Sequence, residues 1–88
     1  MSHAMPKFAA DAMLGRLAKW LRLLGFDTTY TADLPDSALL ALTRRENRIL
    51  LTRDTRLLCR RNLPPHVFVR DDDFRCQLRQ VVHECGLE

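Results

Sequence analysis

The stretch Ile49-Leu-Leu-Thr-Arg-Asp54 constrains this chain most, because it is a short continuous apolar run that stops abruptly on a carboxylate. Four apolar or β-branched residues, with Arg48 before them and Arg53 after, are too few for a helix. They read as a strand covered on both faces, the state of strands in a parallel sheet. Ligands of open α/β sheets bind beyond the carboxyl ends of the strands, so Asp54 is expected at a functional edge. A second run, Phe8-Ala-Ala10, ends in the same way on Asp11. Two strands thereby deliver two carboxylates to one side of one sheet.

The intervening segments supply the helices. From Ala12 to Leu24, the residues Leu14, Leu17, Ala18, Leu21 and Leu24 keep a 3.6-residue period, with Arg16, Lys19 and Arg22 on the other side. Gly25 closes this helix as a left-handed cap, and Phe26 is placed to pack back on its last turn. Gly15 is unexpected inside a helix, where glycine costs about 1 kcal/mol relative to alanine. It suits either a close backbone approach beside Asp11 or tight helix-to-strand packing. Asp27 to Tyr30 reads as a second strand at an edge, and Asp36 to Glu46 as a helix with Leu39, Leu40, Leu42 and Thr43 inward and Asn47 as its stop. After Asp54 a short helix over Thr55 to Arg61 leads to Pro64-Pro65. A strand over Val67 to Val69, a turn at Asp71-Asp72-Asp73 and a last helix from Phe74 to about Cys85 complete the chain. Strand and helix alternate four times, which predicts a three-layer α/β domain: a four-stranded parallel sheet with helices on both faces. Right-handed crossovers favour the strand order 2-1-3-4, with the strands ending in Asp11 and Asp54 side by side at the switch point.

Composition excludes several classes. Hydrophobic residues make up 47 % of the chain and charged residues 28 %, so a disordered chain is excluded. The 88 residues allow one domain, expected over residues 7–88, with Met1 to Pro6 either disordered or left by cloning. No apolar stretch approaches the roughly 20 residues needed to cross a bilayer, and the first ten residues lack the order of a signal peptide, so the protein is expected in the cytoplasm. Cys59, Cys76 and Cys85 cannot all pair and include no Cys-x-x-Cys step, which argues against a disulfide scaffold or a structural zinc site. Helical geometry places Cys85 in the core and leaves Cys76 as a free surface thiol. His3, His66 and His83 have no neighbours at metal-ligand spacing. No glycine-rich phosphate loop or Gly-x-Ser-x-Gly occurs.

Asp11, Asp36 and Asp54 converge if the second helix begins over the same sheet edge, and Asp71 or Asp72 would add a fourth acid. Clustered carboxylates repel unless a hard cation neutralises them, and oxygen ligands suit Mg²⁺ or Mn²⁺. Metal-assisted hydrolysis of a phosphodiester is the chemistry such a cluster implies. The net charge of +3 is modest. Arg16, Lys19 and Arg22 nevertheless recur every third residue, and Arg53, Arg56, Arg60 and Arg61 follow the central strand, groupings compatible with a phosphate backbone. Each acid also has a structural role open to it: Asp11, Asp54 and Asp73 as helix caps, and Asp36 as a complement to a helix dipole.

Three segments carry a resemblance: Phe8-Ala-Ala-Asp-Ala-Met-Leu-Gly-Arg-Leu-Ala-Lys-Trp-Leu-Arg-Leu-Leu-Gly-Phe-Asp27, then Arg48-Ile-Leu-Leu-Thr-Arg-Asp54, then Val69-Arg-Asp-Asp-Asp73. In order and spacing they closely resemble the PIN-like RNase domain found at the C-terminus of Mut-seven exonucleases and as free-standing bacterial and archaeal proteins. The resemblance spans roughly Lys7 to Leu87. It implies a PIN-like fold and a metal-dependent ribonuclease in which Asp11, Asp36 and Asp54 are catalytic and bind Mg²⁺ or Mn²⁺, with Asp72 a weaker match for a fourth ligand. Arg16, Lys19, Arg22 and Arg53 are then the expected contacts to RNA, most simply a single strand. Longer members of the family continue into a four-cysteine zinc ribbon, which is absent from this sequence. The alternative is a non-catalytic module of the same fold that binds RNA or a protein partner. Trp20 and Leu23 offer a surface for a partner or for a homodimer. A phosphoryl-accepting receiver domain fits less well, since the chain is one strand and helix short and no lysine follows the last strand.

Overall fold

The computed structural model describes residues 5–87, so Met1 to Ala4, including His3, and Glu88 lie outside the described residues. Among the described residues four short strands, β1 (Phe8–Ala10), β2 (Thr28–Tyr30), β3 (Ile49–Thr52) and β4 (His66–Phe68), alternate with four α-helices, α1 (Gly15–Leu23), α2 (Asp36–Arg45), α3 (Thr55–Leu58) and α4 (Phe74–Glu84). The strands form one parallel sheet in the order β2-β1-β3-β4. This is the alternation and the strand order expected from the sequence.

The two-residue period of the strands divides the core. Phe8, Ala10, Leu51, Val67 and Val69 point to one face and pack with Leu14, Leu17, Ala18 and Leu21 of the α1 segment and Val81 of α4. Ala9 and Leu50 point to the other face, against Leu39 and Leu40 of α2 and Leu57 of α3. Leu50 and Leu51, adjacent in sequence, are thus both fully buried on opposite faces. A continuous apolar run in a parallel strand has this outcome.

Several boundaries differ from the sequence reading, each for a local reason. The first long helix is two pieces: a 3-10 turn at Ala12–Leu14, capped by the Asp11 side chain, and then α1. Gly15 therefore opens α1 instead of interrupting it. A Cβ on Gly15 would meet Tyr30 Cζ and Oη at 3.1 Å, and Tyr30 Oη donates to the Ala12 carbonyl at 2.8 Å. Helix-to-strand packing accounts for the glycine. At the other end, Gly25 has φ of +97°, its N–H reaches the Arg22 carbonyl and the Phe26 N–H reaches the Leu21 carbonyl. These are the two bonds of a Schellman motif, and they leave Leu24 exposed at the helix end instead of in the apolar stripe. Asn47 stops α2 with φ of 54° as expected. The helix expected over Thr55 to Arg61 ends at Leu58, and Phe68 on β4 is 37 % exposed.

Arg48 holds the amino edge of the sheet. Its side chain is nearly buried and donates to the carbonyls of Phe8 and Asp27, to Asp27 Oδ1 at 2.9 Å and to Glu46 Oε1 at 2.7 Å. Burial opposes its charge, but the hydrogen bonds and charges of Glu46 and Asp27 outweigh that effect and raise its pKa above the usual arginine value.

Candidate active site at the carboxyl edge of the sheet

Each parallel strand ends at the same edge, and each following helix begins there. Asp11 follows β1 directly. Its N–H continues the ladder to the Leu51 carbonyl at 3.0 Å, and its carboxylate turns inward, only 8 % exposed. Oδ1 accepts from the Met13 N–H at 2.9 Å and Oδ2 accepts from the Thr52 hydroxyl at 2.6 Å. Among the described residues no cation lies within ion-pair distance of Asp11. Neutral donors satisfy this nearly buried carboxylate.

Thr52 links the two strands. Its hydroxyl donates to Asp11 and accepts from the Asp54 N–H at 2.9 Å, so one buried oxygen fixes the acid after β1 relative to the acid after β3. Asp54 Oδ1 caps α3 by accepting from the Arg56 N–H at 2.9 Å, while Oδ2 makes no hydrogen bond among the described residues. The cap occupies one oxygen and leaves the other available. Arg53 is half-buried beside this pair and donates to the Val69 carbonyl at 3.3 Å, which keeps a guanidinium between the ends of β3 and β4.

Asp36 opens α2 at the same edge, but its carboxylate is turned to Arg60, with Nη2 to Oδ2 at 3.9 Å. Asp72 is exposed, whereas its neighbours shape the turn: Asp71 accepts from the Asp73 N–H, and Asp73 caps α4 by accepting from the Arg75 N–H. The Asp73 N–H, and then that of Asp72, hold the Asp71 carboxyl below its usual pKa. Gln77 and Gln80 tie the same loop down by donating to the carbonyls of Asp71 and Phe68, both at 2.8 Å. Among the described residues no group of three or more His, Cys, Asp or Glu side chains is gathered closely enough to hold a metal ion. The geometry thus couples Asp11 to Asp54 and leaves Asp36 and Asp72 apart from that pair.

The basic residues also separate. Arg16 and Lys19 are exposed on the first turns of α1, nearest the acids. Arg22 lies at the far end of that helix and donates to the Thr28 carbonyl at 2.8 Å. The sequence pattern does not single out Arg44, which with Ser37, Leu40, Cys59, Arg60 and Arg61 lines an open groove of about 500 Å³ along α2. The arginines after the central strand were its only visible sign. The cysteines are unpaired. Cys85 packs against the core, as expected, but Cys76 is half-buried with Sγ 3.6 Å from Asp73 Oδ2 rather than free on the surface.

Comparison with family models matches the Mut7-C RNAse domain over residues 6–88. The chain belongs to the Mut7-C RNAse domain family. No curated protein and no solved structure matches it. The match takes in every strand and helix just described, so the acids at the sheet edge are part of the Mut7-C domain itself. No helix among its described residues is long and apolar enough to cross a membrane.

Proposed function

We propose that this Mut7-C domain hydrolyses RNA phosphodiester bonds with the help of Mg²⁺ or Mn²⁺ held at Asp11 and Asp54, with Asp36 completing the catalytic set. The observation that carries the proposal is the Asp11 carboxylate. It is nearly buried, lies at the switch point of a parallel sheet, has only neutral hydrogen-bond partners and is joined through the Thr52 hydroxyl to the backbone N–H of a second acidic residue, Asp54. A charge in that position is costly without a counter-ion. The donor set fits a hard cation, because Mg²⁺ needs only one or two protein carboxylates and keeps several waters for the rest of its shell. When bound, such an ion makes a coordinated water more acidic and stabilises charge on a phosphodiester undergoing in-line displacement.

The protein's own groups divide the remaining work. Thr52 fixes the Asp11 rotamer, and the α3 cap fixes that of Asp54, so two acids are pre-positioned before RNA arrives. Asp36 is held only by an exposed ion pair with Arg60, and such pairs contribute about 0–1 kcal/mol. Its turn toward the other acids is therefore cheap, and it frees Arg60 for a phosphate. Arg53, Arg16 and Lys19 hold flanking phosphates of a single strand, and the Arg44–Arg60–Arg61 groove extends that track. Asp72 stands as an outer ligand at most.

Labelled single-stranded RNA incubated with the protein in Mg²⁺, in Mn²⁺ or in EDTA tests this. Cleavage in either metal and none in EDTA is expected. RNA binding without cleavage under all three conditions would move the domain to the non-catalytic reading.

A further inference from the structure

A pair of aromatic rings joining α1 to α4 has no part in the hydrolysis chemistry. Phe74, the first residue of α4, stacks on Trp20 of α1 with ring centroids 5.9 Å apart and planes 21° from parallel. The Arg16 guanidinium carbon lies 4.0 Å from the centre of the Phe74 ring, and that of Arg75 lies 5.7 Å from it. Despite this stacking Trp20 remains 39 % exposed. Two aromatic rings and two guanidiniums from separate helices therefore form one layered platform. Arg16, Lys19 and Arg75 form no ion pair among the described residues.

Topology places Arg16 and Phe74 at the edge of the sheet that carries the acids, with Trp20 farther along α1. In a parallel sheet both α1 and α4 start at the carboxyl edge, and Trp20 lies only five residues into α1, about 7.5 Å along its axis from Gly15. We infer that Trp20 and Phe74, backed by Arg16 and Arg75, form a stacking platform for an unpaired base of a single-stranded RNA whose backbone runs to the acids. The inference rests on the RNA reading of the site and names the substrate class it takes: a strand with an unstacked base, not a duplex. Every base has a π face, so the platform confers affinity with little sequence preference. The charge of the patch favours this occupant, because unpaired guanidiniums and the Lys19 ammonium complement phosphates on either side of the stacked base. A protein partner or second copy docking on Trp20 and the exposed Leu23 is the rival occupant.

Trp20 is the only tryptophan in the chain, which makes its fluorescence a direct probe. A short 2′-O-methyl oligouridine, which resists cleavage, is titrated into the protein in EDTA beside an abasic oligomer of equal phosphate number. Quenching by the first and not by the second is expected. Anisotropy of the labelled oligouridine should show Trp20→Ala weakening binding between about 5- and 100-fold and Trp20→Tyr retaining most of it. Equal binding of the abasic oligomer, or wild-type affinity in a folded Trp20→Ala, overturns the platform. So does a sedimentation profile in which the wild type is a dimer that Trp20→Ala dissolves while the oligomer gives no quenching. The assay contains neither metal nor a cleavable bond, so its failure and failure of the hydrolysis reading are separate results.

Discussion

Replacing Thr52 by valine keeps the shape of a fully buried side chain and removes the one hydroxyl that joins the two sheet-edge acids. Two bonds go with it. The 2.6 Å donation to Asp11 is a bond to a charged group, of a kind that contributes about 1.5–3 kcal/mol. Asp11 is too buried for water to replace it fully. The Asp54 N–H also loses its acceptor, but Asp54 is half-buried and regains some hydration. These losses share one atom and do not add in full, so about 2–4 kcal/mol is expected for Thr52→Val. A chain of 88 residues has a stability of about 4–13 kcal/mol, so the variant stays folded unless the wild type lies at the bottom of that range, with its melting temperature lower by on the order of 10 to 20 °C. Thr52→Ser is the control. It keeps both bonds and loses one buried methyl, a change of about 1 kcal/mol. Urea denaturation of the three proteins side by side decides the matter: serine should lie closer to wild type than valine. If valine equals or exceeds serine in stability, packing outweighs the hydroxyl and the coupling of Asp11 to Asp54 is not what orders this edge.

Other consequences follow from single residues. Gly15→Ala should destabilise by about 1 kcal/mol, because the new Cβ presses on a Tyr30 ring anchored to Ala12, and should become neutral or stabilising in a Tyr30→Leu background, where only the helix preference remains. Arg48→Met removes the guanidinium that donates to the Phe8 and Asp27 carbonyls and to the Asp27 carboxylate, although the Asp27 carbonyl keeps the Phe8 N–H, and should cost about 2–3 kcal/mol in chemical denaturation, less than a fully buried pair because Asp27 reaches water. Burial first, and then the negative charge of Glu84, raises the Cys85 thiol pKa, while Cys76 is raised by desolvation and by Asp71 and Asp73. Alkylation at mildly alkaline pH should therefore label exposed Cys59 ahead of both, as read by mass spectrometry. A thiol pKa raised on folding favours the folded state below the unfolded value and loses that contribution as pH rises through the folded value. Cys85→Ala should accordingly flatten the fall in stability above about pH 8.5.

The fold was legible because parallel strands advertise themselves. Ile49 to Thr52 and Phe8 to Ala10 are apolar on both faces and end on charges, and Gly25 and Asn47 mark helix ends by needing φ above zero. What was not legible depends on partners distant in sequence. Arg48 reads as a charge flanking a strand, and only the approach of Asp27 makes it a buried tie across the sheet edge. Gly15 could serve either of two purposes until Tyr30 was placed beside it. The same limit applies to the acids. That Asp11 and Asp54 follow neighbouring strands could be read from the alternation of elements. That Thr52 links them, and that Arg60 draws Asp36 aside, arises from side chains meeting across separate segments. Trp20 and Phe74 are 54 positions apart, beyond the reach of any local pattern.

The central claim is that Asp54 serves catalysis as well as capping α3, and asparagine separates the two roles. Asparagine caps a helix about as well as aspartate but carries no charge. Asp54→Asn and Asp73→Asn, the latter altering the cap of α4, are to be compared with wild type for cleavage of labelled single-stranded RNA in Mn²⁺. The account predicts that Asp54→Asn keeps its stability and loses at least about 100-fold in rate, while Asp73→Asn cleaves as wild type does. Equal cleavage by Asp54→Asn and wild type would contradict it and leave Asp54 as a helix cap alone.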